Sequence, residues 1–312
     1  MPAPIAAARS SVLTRTAVAV GAIGAACVAY GVFLEHRWYR EQRYTLAVLP
    51  PGSSPLTVLH LSDLHFVRGD RRKARFLASL PRPDVTVVTG DFLADPAAVE
   101  AAVVGVHPVR GSTASLFVLG SNDYFAPQPI NPLGYLLPDN GKRHGVPGRS
   151  KDLLALLAAD GWTYLKNERT GIQHDGVRLE VLGLDDPHLR RHDLRTAART
   201  EAGDFGLAMV HSPDPGPELV ALGYQLVLAG HTHGGQVRLP FVGALVTNGT
   251  TPTHLAMGLA RLGPAYLHVS PGLGTSRYAP FRFLCRPEAT YLRLVAGPER
   301  APATLASGRN GT

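Results

Sequence analysis

Cysteine is nearly missing from this sequence: Cys27 and Cys285 are the only two in 312 residues. That excludes a disulfide framework, and with Cys27 inside an apolar run it leaves the redox compartment unread. Charge is sparse too, at 18% Asp, Glu, Lys and Arg against 45% AVILMFWYC. A chain of that balance is neither a disordered tract nor, with a single long apolar run, a multi-span membrane protein. There is no internal repeat. The net charge is +7, which suits an anionic partner, but no basic helix or aromatic stacking platform accompanies it, so a nucleic-acid partner is not expected. Nothing in the pattern fixes an oligomeric state.

The long apolar run, Thr16 to Leu34, carries no charge, with Arg9 and Arg15 before it and Arg37, Arg40 and Arg43 after. About 20 such residues just span a hydrocarbon core. A cleaved signal peptide has a shorter apolar region with its small-x-small site at the end, whereas here Cys27 and Ala29 fall inside the run. We therefore expect a short segment over 1–15, then an uncleaved single-pass anchor in the cell membrane over 16–34. Trp38, Tyr39 and Tyr44 would sit at the interface. The flanking arginines are close to balanced, so the side of the membrane on which the body lies is not read. Pro50 to Pro55 closes a linker over 35–55; a globular body over 56–296 and a small, polar, disordered tail over 297–312 follow.

Within the body, short apolar runs read as buried strands: Leu56 to Leu61, Val85 to Thr89, Leu116 to Leu119, Leu179 to Leu184, Leu207 to Val210, Leu226 to Ala229 and Tyr266 to Val269. Helices are expected at Arg71 to Leu80, Pro96 to Val104, Asp152 to Ala159 and from Glu218. Strand alternating with helix predicts an α/β fold. The proline-rich segment Phe125 to Arg149 reads as a long loop, either a surface excursion or a lid or substrate-contacting flap, with positive charge at Lys142, Arg143 and His144.

The chemistry lies in what ends the strands. Leu61 leads into Ser62-Asp63-Leu64-His65, Thr89 into Gly90-Asp91, Leu119 into Gly120-Ser121-Asn122-Asp123, Val210 into His211, and Ala229 into Gly230-His231-Thr232-His233-Gly234-Gly235-Gln236. Ligands of open α/β sheets bind beyond the carboxyl ends of the strands, so these residues could converge on one edge. Asp63, His65, Asp91, Asn122, His211, His231 and His233 mix oxygen and imidazole donors, a set that suits Mn, Fe or Zn better than Mg or Ca. Seven ligands exceed the needs of one ion, so two divalent metals sharing Asp91 is the economical reading. His60 lies within a strand and reads as a core residue; His36, His107, His174, His188 and His192 read as surface residues; His144, His254 and His268 stay open.

In these motifs, and in Gly272-Leu273-Gly274-Thr275 and the Phe283 to Glu288 stretch, the sequence resembles the calcineurin-like metallophosphoesterase superfamily, within it the membrane-anchored bacterial branch. The resemblance implies a two-sheet sandwich flanked by helices. It also implies one ion held by Asp63, His65 and His233, a bridging Asp91, and a second ion held by His211, His231 and an Asn. The implied activity is hydrolysis of a phosphomono- or diester by in-line attack of a metal-bridging hydroxide. At Gly120-Ser121-Asn122-Asp123 the family usually reads Gly-Asn-His-Asp. Either Ser121 replaces the Asn ligand and Asn122 the proton-donating His, or the loop shifts by one and Asn122 supplies the amide. Both leave the expected catalytic His absent, with His144 and His254 as substitute donors or substrate contacts. The alternative class is a catalytically silent metal-binding module that binds phosphorylated ligands.

Overall fold

The computed structural model describes residues 4–127, 145–200, 203–247, 249–275 and 277–298. α1 (Pro4–Ala29) runs on through a π-helical turn, Tyr30–Leu34, and a 3-10 turn, Glu35–Arg37. Over Thr14–Arg37 the helical run is long and apolar enough to cross a bilayer. Its end is docked rather than free. Gly31 packs so closely on Phe281 that a Cβ would strike the ring. The buried Glu35 carboxylate accepts the backbone N–H of Leu284 at 2.8 Å and of Cys285 at 2.5 Å.

The expected linker over 35–55 is therefore not one. Residues 40–49 form β1 (Arg40–Leu49), which lies parallel to β14 (Glu288–Ala296) and places Leu46 and Leu49 in the core. Alternation of exposed charge with Tyr44, Leu46 and Val48 is the half-buried strand pattern that the polar residues concealed. Tyr44 consequently faces the core beside His268, with ring centroids 5.9 Å apart, and not a membrane interface.

The first six-stranded sheet runs in the order β1, β14, β2 (Leu56–Leu61), β3 (Val85–Thr89), β4 (Ala114–Val118), β5 (Thr163–Tyr164). The second runs β12 (Gly258–Leu262), β13 (Ala265–Val269), β9 (Leu226–Ala229), β8 (Phe205–Met209), β7 (Val177–Gly183), β6 (Glu168–His174). A short ribbon, β10 (Arg238–Leu239) with β11 (Gly243–Ala244), lies apart. The central strands are continuous apolar runs because parallel strands are buried on both faces. Val58, Val87, Leu116 and Val118 meet Leu179, Val181, Leu207 and Leu228 between the sheets. On the outer face of the first sheet, α2 (Arg71–Ala78), α3 (Val99–Val106) and α5 (Ser150–Ala159) bury Leu77, Val106, Leu153 and Leu157. On the second, α6 (Gly216–Ala221) buries Leu219. Each fully buried leucine contributes about 2 kcal/mol. The architecture is the two-sheet sandwich flanked by helices that the sequence led us to expect.

Two imidazoles interrupt this core. His60 Nδ1 meets His268 Nδ1 at 2.7 Å, and His60 Nε2 meets Thr89 Oγ1 at 3.0 Å. Burial pushes His268 down to about 3 and His60 well below its ordinary value. Both stay neutral in the folded chain while their unfolded counterparts protonate near 6.5, so stability is full above that pH and falls as acid is added. Each contributes about 1.4 kcal/mol of loss per pH unit below it. Thermal melts at pH 7 and pH 5 should show a smaller acid-induced drop for His268→Gln than for the wild type.

Candidate metal centre

β2, β3 and β4 are mutually parallel in the first sheet, as are β7, β8 and β9 in the second. Their carboxyl ends bring loops of both sheets to one edge. There the chain turns through left-handed backbone at Asp63 (φ 47°), His65 (44°), Asp91 (55°), His231 (68°) and His233 (50°). Such conformations cost non-glycine residues about 1 kcal/mol or more and persist where the surroundings over-determine them, typically at functional sites. Close approach also explains Gly230: a Cβ there would overlap Ser62 Oγ and Asp63 Oδ2. Gly230→Ala should push Asp63 out of place, lowering stability by about 1–3 kcal/mol and reducing bound metal measured by elemental analysis.

The side chains gather as two overlapping groups, Asp63 with His65 and His233, and Asp63 with Asp91 and His211. In each, one ligand atom per residue lies within 4.8 Å of the others. Asp63 Oδ2 accepts from Ser62 Oγ at 2.7 Å and from the His231 N–H at 2.9 Å. Its Oδ1 has no hydrogen-bond partner and lies 3.5 Å from His233 Nε2 and 3.9 Å from His65 Nε2. Asp91 Oδ2 sits 3.5 Å from His65 Nε2 and 3.6 Å from His211 Nε2. His211 Nδ1 lies 2.7 Å from the Thr89 carbonyl, the bond that directs Nε2 inward as an acceptor. His231 Nδ1 lies 3.3 Å from His211 Nε2.

Electrostatics describe the same place. Burial raises Asp63 to about 6 and lowers His65 to about 4 and His233 well below its ordinary value, so both imidazoles are in their neutral, ligating form at pH 7. Burial also pulls on His211, but the carboxylates of Asp91, Asp63 and Asp186 outweigh it and raise His211 to about 9. A buried carboxylate oxygen without a donor, facing neutral imidazoles in a field that favours positive charge, fits a divalent cation.

Asn122 opens α4 (Ser121–Tyr124) beside this group. Its backbone N–H bonds Asp91 Oδ1 at 2.9 Å and its side-chain amide nitrogen donates to Asp91 Oδ2 at 2.5 Å. Asp123 Oδ2 accepts the N–H of Asp91 at 2.9 Å and of Gly120 at 3.0 Å, tying the two loops together. Burial, then the nearby Asp91, raises its carboxyl to about 8. His254 is exposed on a 3-10 turn, Thr253–Leu255. Lys142, Arg143 and His144 lie outside the described residues.

A sixth strand end was missed. β7 leads into Leu184-Asp185-Asp186-Pro187-His188, the same succession of apolar strand, carboxylate and imidazole. His188, expected at the surface, lies with its ring centroid 4.8 Å from that of His231. Asp186 is fully buried and its Oδ1 accepts the His188 N–H at 2.7 Å, while Oδ2 has no hydrogen-bond partner. Burial raises Asp186 to about 6. The signal was available in the residues that follow Leu184.

Residues 56–235 match the family model described as calcineurin-like phosphoesterase. Among curated proteins, the uncharacterized metallophosphoesterase YkuE of Bacillus subtilis is 28% identical over 290 residues, covering 89% of this chain and 93% of its own length. The phosphodiesterase YaeI of Escherichia coli is 28% identical over 275 residues, covering 85% of this chain and 92% of its own. A Bos taurus protein described as a transmembrane protein with metallophosphoesterase domain is 28% identical over 263 residues, 80% of this chain and 55% of its own.

Proposed function

The chain belongs to the calcineurin-like phosphoesterase family, and we propose that it is a membrane-anchored enzyme that hydrolyses a phosphomono- or diester at two metal positions. The observation that carries this reading is the convergence of Asp63 Oδ1 and Asp91 Oδ2 on inward-facing imidazole nitrogens at one sheet edge. Asp63, His65 and His233 would hold one divalent ion, His211, His231 and Asn122 the other, and Asp91 both. Bound there, such ions supply Lewis acidity toward a phosphoryl oxygen and bring the pKa of water from 15.7 to roughly 7.

The protein's own groups do the rest. Thr89 holds His211 in its ligating tautomer, Asp123 keeps the Asp91 and Asn122 loops in register, and Asp63 and Asp91 place negative charge where cations sit. In place of the missing family histidine, His188 is the imidazole set to give a proton to the leaving oxygen, its backbone fixed by Asp186. The apolar helix over Thr14–Arg37 is the anchor, and the catalytic body begins at β1 rather than at residue 56.

The test is to purify the full chain in detergent, strip it with chelator, and measure hydrolysis of an aryl phosphodiester as Mn, Fe or Zn is restored. Turnover should vanish on stripping and return with about two equivalents of bound metal. Metal binding without turnover of any phosphomono- or diester would instead favour the silent binding module.

A further inference from the structure

Two depressions meet beside the docked end of the helix. A cleft of about 480 Å³ reaches from the metal ligand His65 to His36 and Arg37, the last residues of the bilayer-length helix. Its walls carry Arg37, Arg71, Arg72, Lys73, Arg75 and Arg277, against one carboxylate, Asp70. Lys73 is committed to Asp70 at 2.8 Å and Arg277 to Asp95 at 3.2 Å. The other four arginines have no carboxylate partner among the described residues and are solvent-exposed, so the cleft is a concentrated and uncompensated positive surface. Arg72 is also a wall of the second depression, a groove of about 290 Å³ formed with Tyr30, Leu34 and Trp38 of the helix end. Leu34 is 59% and Trp38 51% exposed.

This order is directional. Starting from the bilayer, a ligand meets apolar side chains on the helix, then arginines, then His65. Because Glu35 and Gly31 fix the helix to the body, the sequence of surfaces is built in rather than set by a flexible tether. The size of the cleft suits a small headgroup.

Resting on the phosphoesterase reading, we propose that the substrate is a membrane-resident anionic phosphoester. Its acyl chain lies in the groove against Tyr30, Leu34 and Trp38, and its headgroup occupies the arginine cleft that ends at His65. Hydrolysis adds one water across the ester: the water oxygen bonds to phosphorus, the P–O bond to the alcohol breaks, and the departing oxygen takes a proton.

Trp38 reports occupancy without any turnover. With the metal-free full chain in phosphatidylcholine nanodiscs, brominated phosphatidylglycerol should quench Trp38 at least three times as strongly as brominated phosphatidylcholine at equal mole fraction. Trp162 is buried in the body and Trp38→Phe supplies the background. Arg71→Ala with Arg72→Ala should bring the two lipids level. Equal quenching in the wild type would overturn the proposal, and so would displacement of the lipid by an equal concentration of soluble glycerophosphoglycerol. With metal restored, a long-chain phosphatidylglycerol in the same disc should be hydrolysed with kcat/KM at least tenfold above its water-soluble dibutyryl analogue. Equal values for the two, while an aryl phosphodiester is turned over, would refute the substrate class alone. No turnover of any ester would refute the phosphoesterase reading, and the quenching result would then decide whether the cleft takes lipid.

Discussion

Asp91→Ala is expected to lose metal from both positions and to lower turnover of an aryl phosphodiester at least 10³-fold, whereas His65→Ala empties one position and leaves the other filled. The difference follows from where the two residues stand. Asp91 Oδ2 is the oxygen that lies between His65 Nε2 at 3.5 Å and His211 Nε2 at 3.6 Å, while His65 belongs to the group with Asp63 and His233 and not to the one with Asp91 and His211. Magnitude separates the outcomes: the drop in water pKa available from a divalent ion corresponds to about 12 kcal/mol of nucleophile availability, far above any single hydrogen bond in the site. Since Asp91 also accepts from Asn122, Asp91→Asn serves as the shape-preserving companion, and circular dichroism on both variants reports folding. Full metal content and full activity in a folded Asp91→Ala chain would rule out a shared ligand.

The second large effect concerns how the alcohol departs. Across a series running from activated aryl to alkyl esters, the wild type should show a shallow dependence of rate on leaving-group pKa. His188→Ala should steepen it, lowering alkyl-ester rates by about 10²- to 10⁴-fold, the usual contribution of a positioned acid, and aryl-ester rates far less. The basis is geometric: His188 packs on His231 at 4.8 Å, and Asp186 holds the backbone that presents it. His254→Ala, an exposed position, should leave the slope as it is. A steep slope already present in the wild type would show that no side chain protonates the leaving oxygen.

What could be read in advance, and what could not, depends on how locally each feature is encoded. The strand ends of β2, β3, β4, β8 and β9 were legible because apolar runs give way abruptly to Asp, His and Gly, a contrast visible within ten residues. β7 ends the same way at Asp185-Asp186-Pro187-His188, but a histidine next to proline in a charged stretch has the composition of a surface turn, and only pairing with β8 brings it to the site. β1 escaped for a related reason. Arg40, Glu41, Gln42 and Arg43 are polar because the strand lies at the sheet's edge, and its partner β14 is some 250 residues away. Glu35 reads as a charge bordering an apolar helix; that it is a buried acceptor for Leu284 and Cys285 is a tertiary fact with no local trace.

The pairing of β1 with β14 also bears on the order in which the molecule is made. The helix over Thr14–Arg37 and β1 leave the ribosome long before β14, the strand that pairs with β1. Contacts so distant in sequence form late and slow folding. Until residues 284–296 have emerged, β1 is without its partner strand and the Glu35 carboxylate without the Leu284 and Cys285 N–H groups, so the junction between helix and body closes only after them. A ribosome stalled shortly before Glu288 should accordingly hold a chain that is protease-sensitive between residues 35 and 55, and emergence of β14 should convert that stretch to resistance.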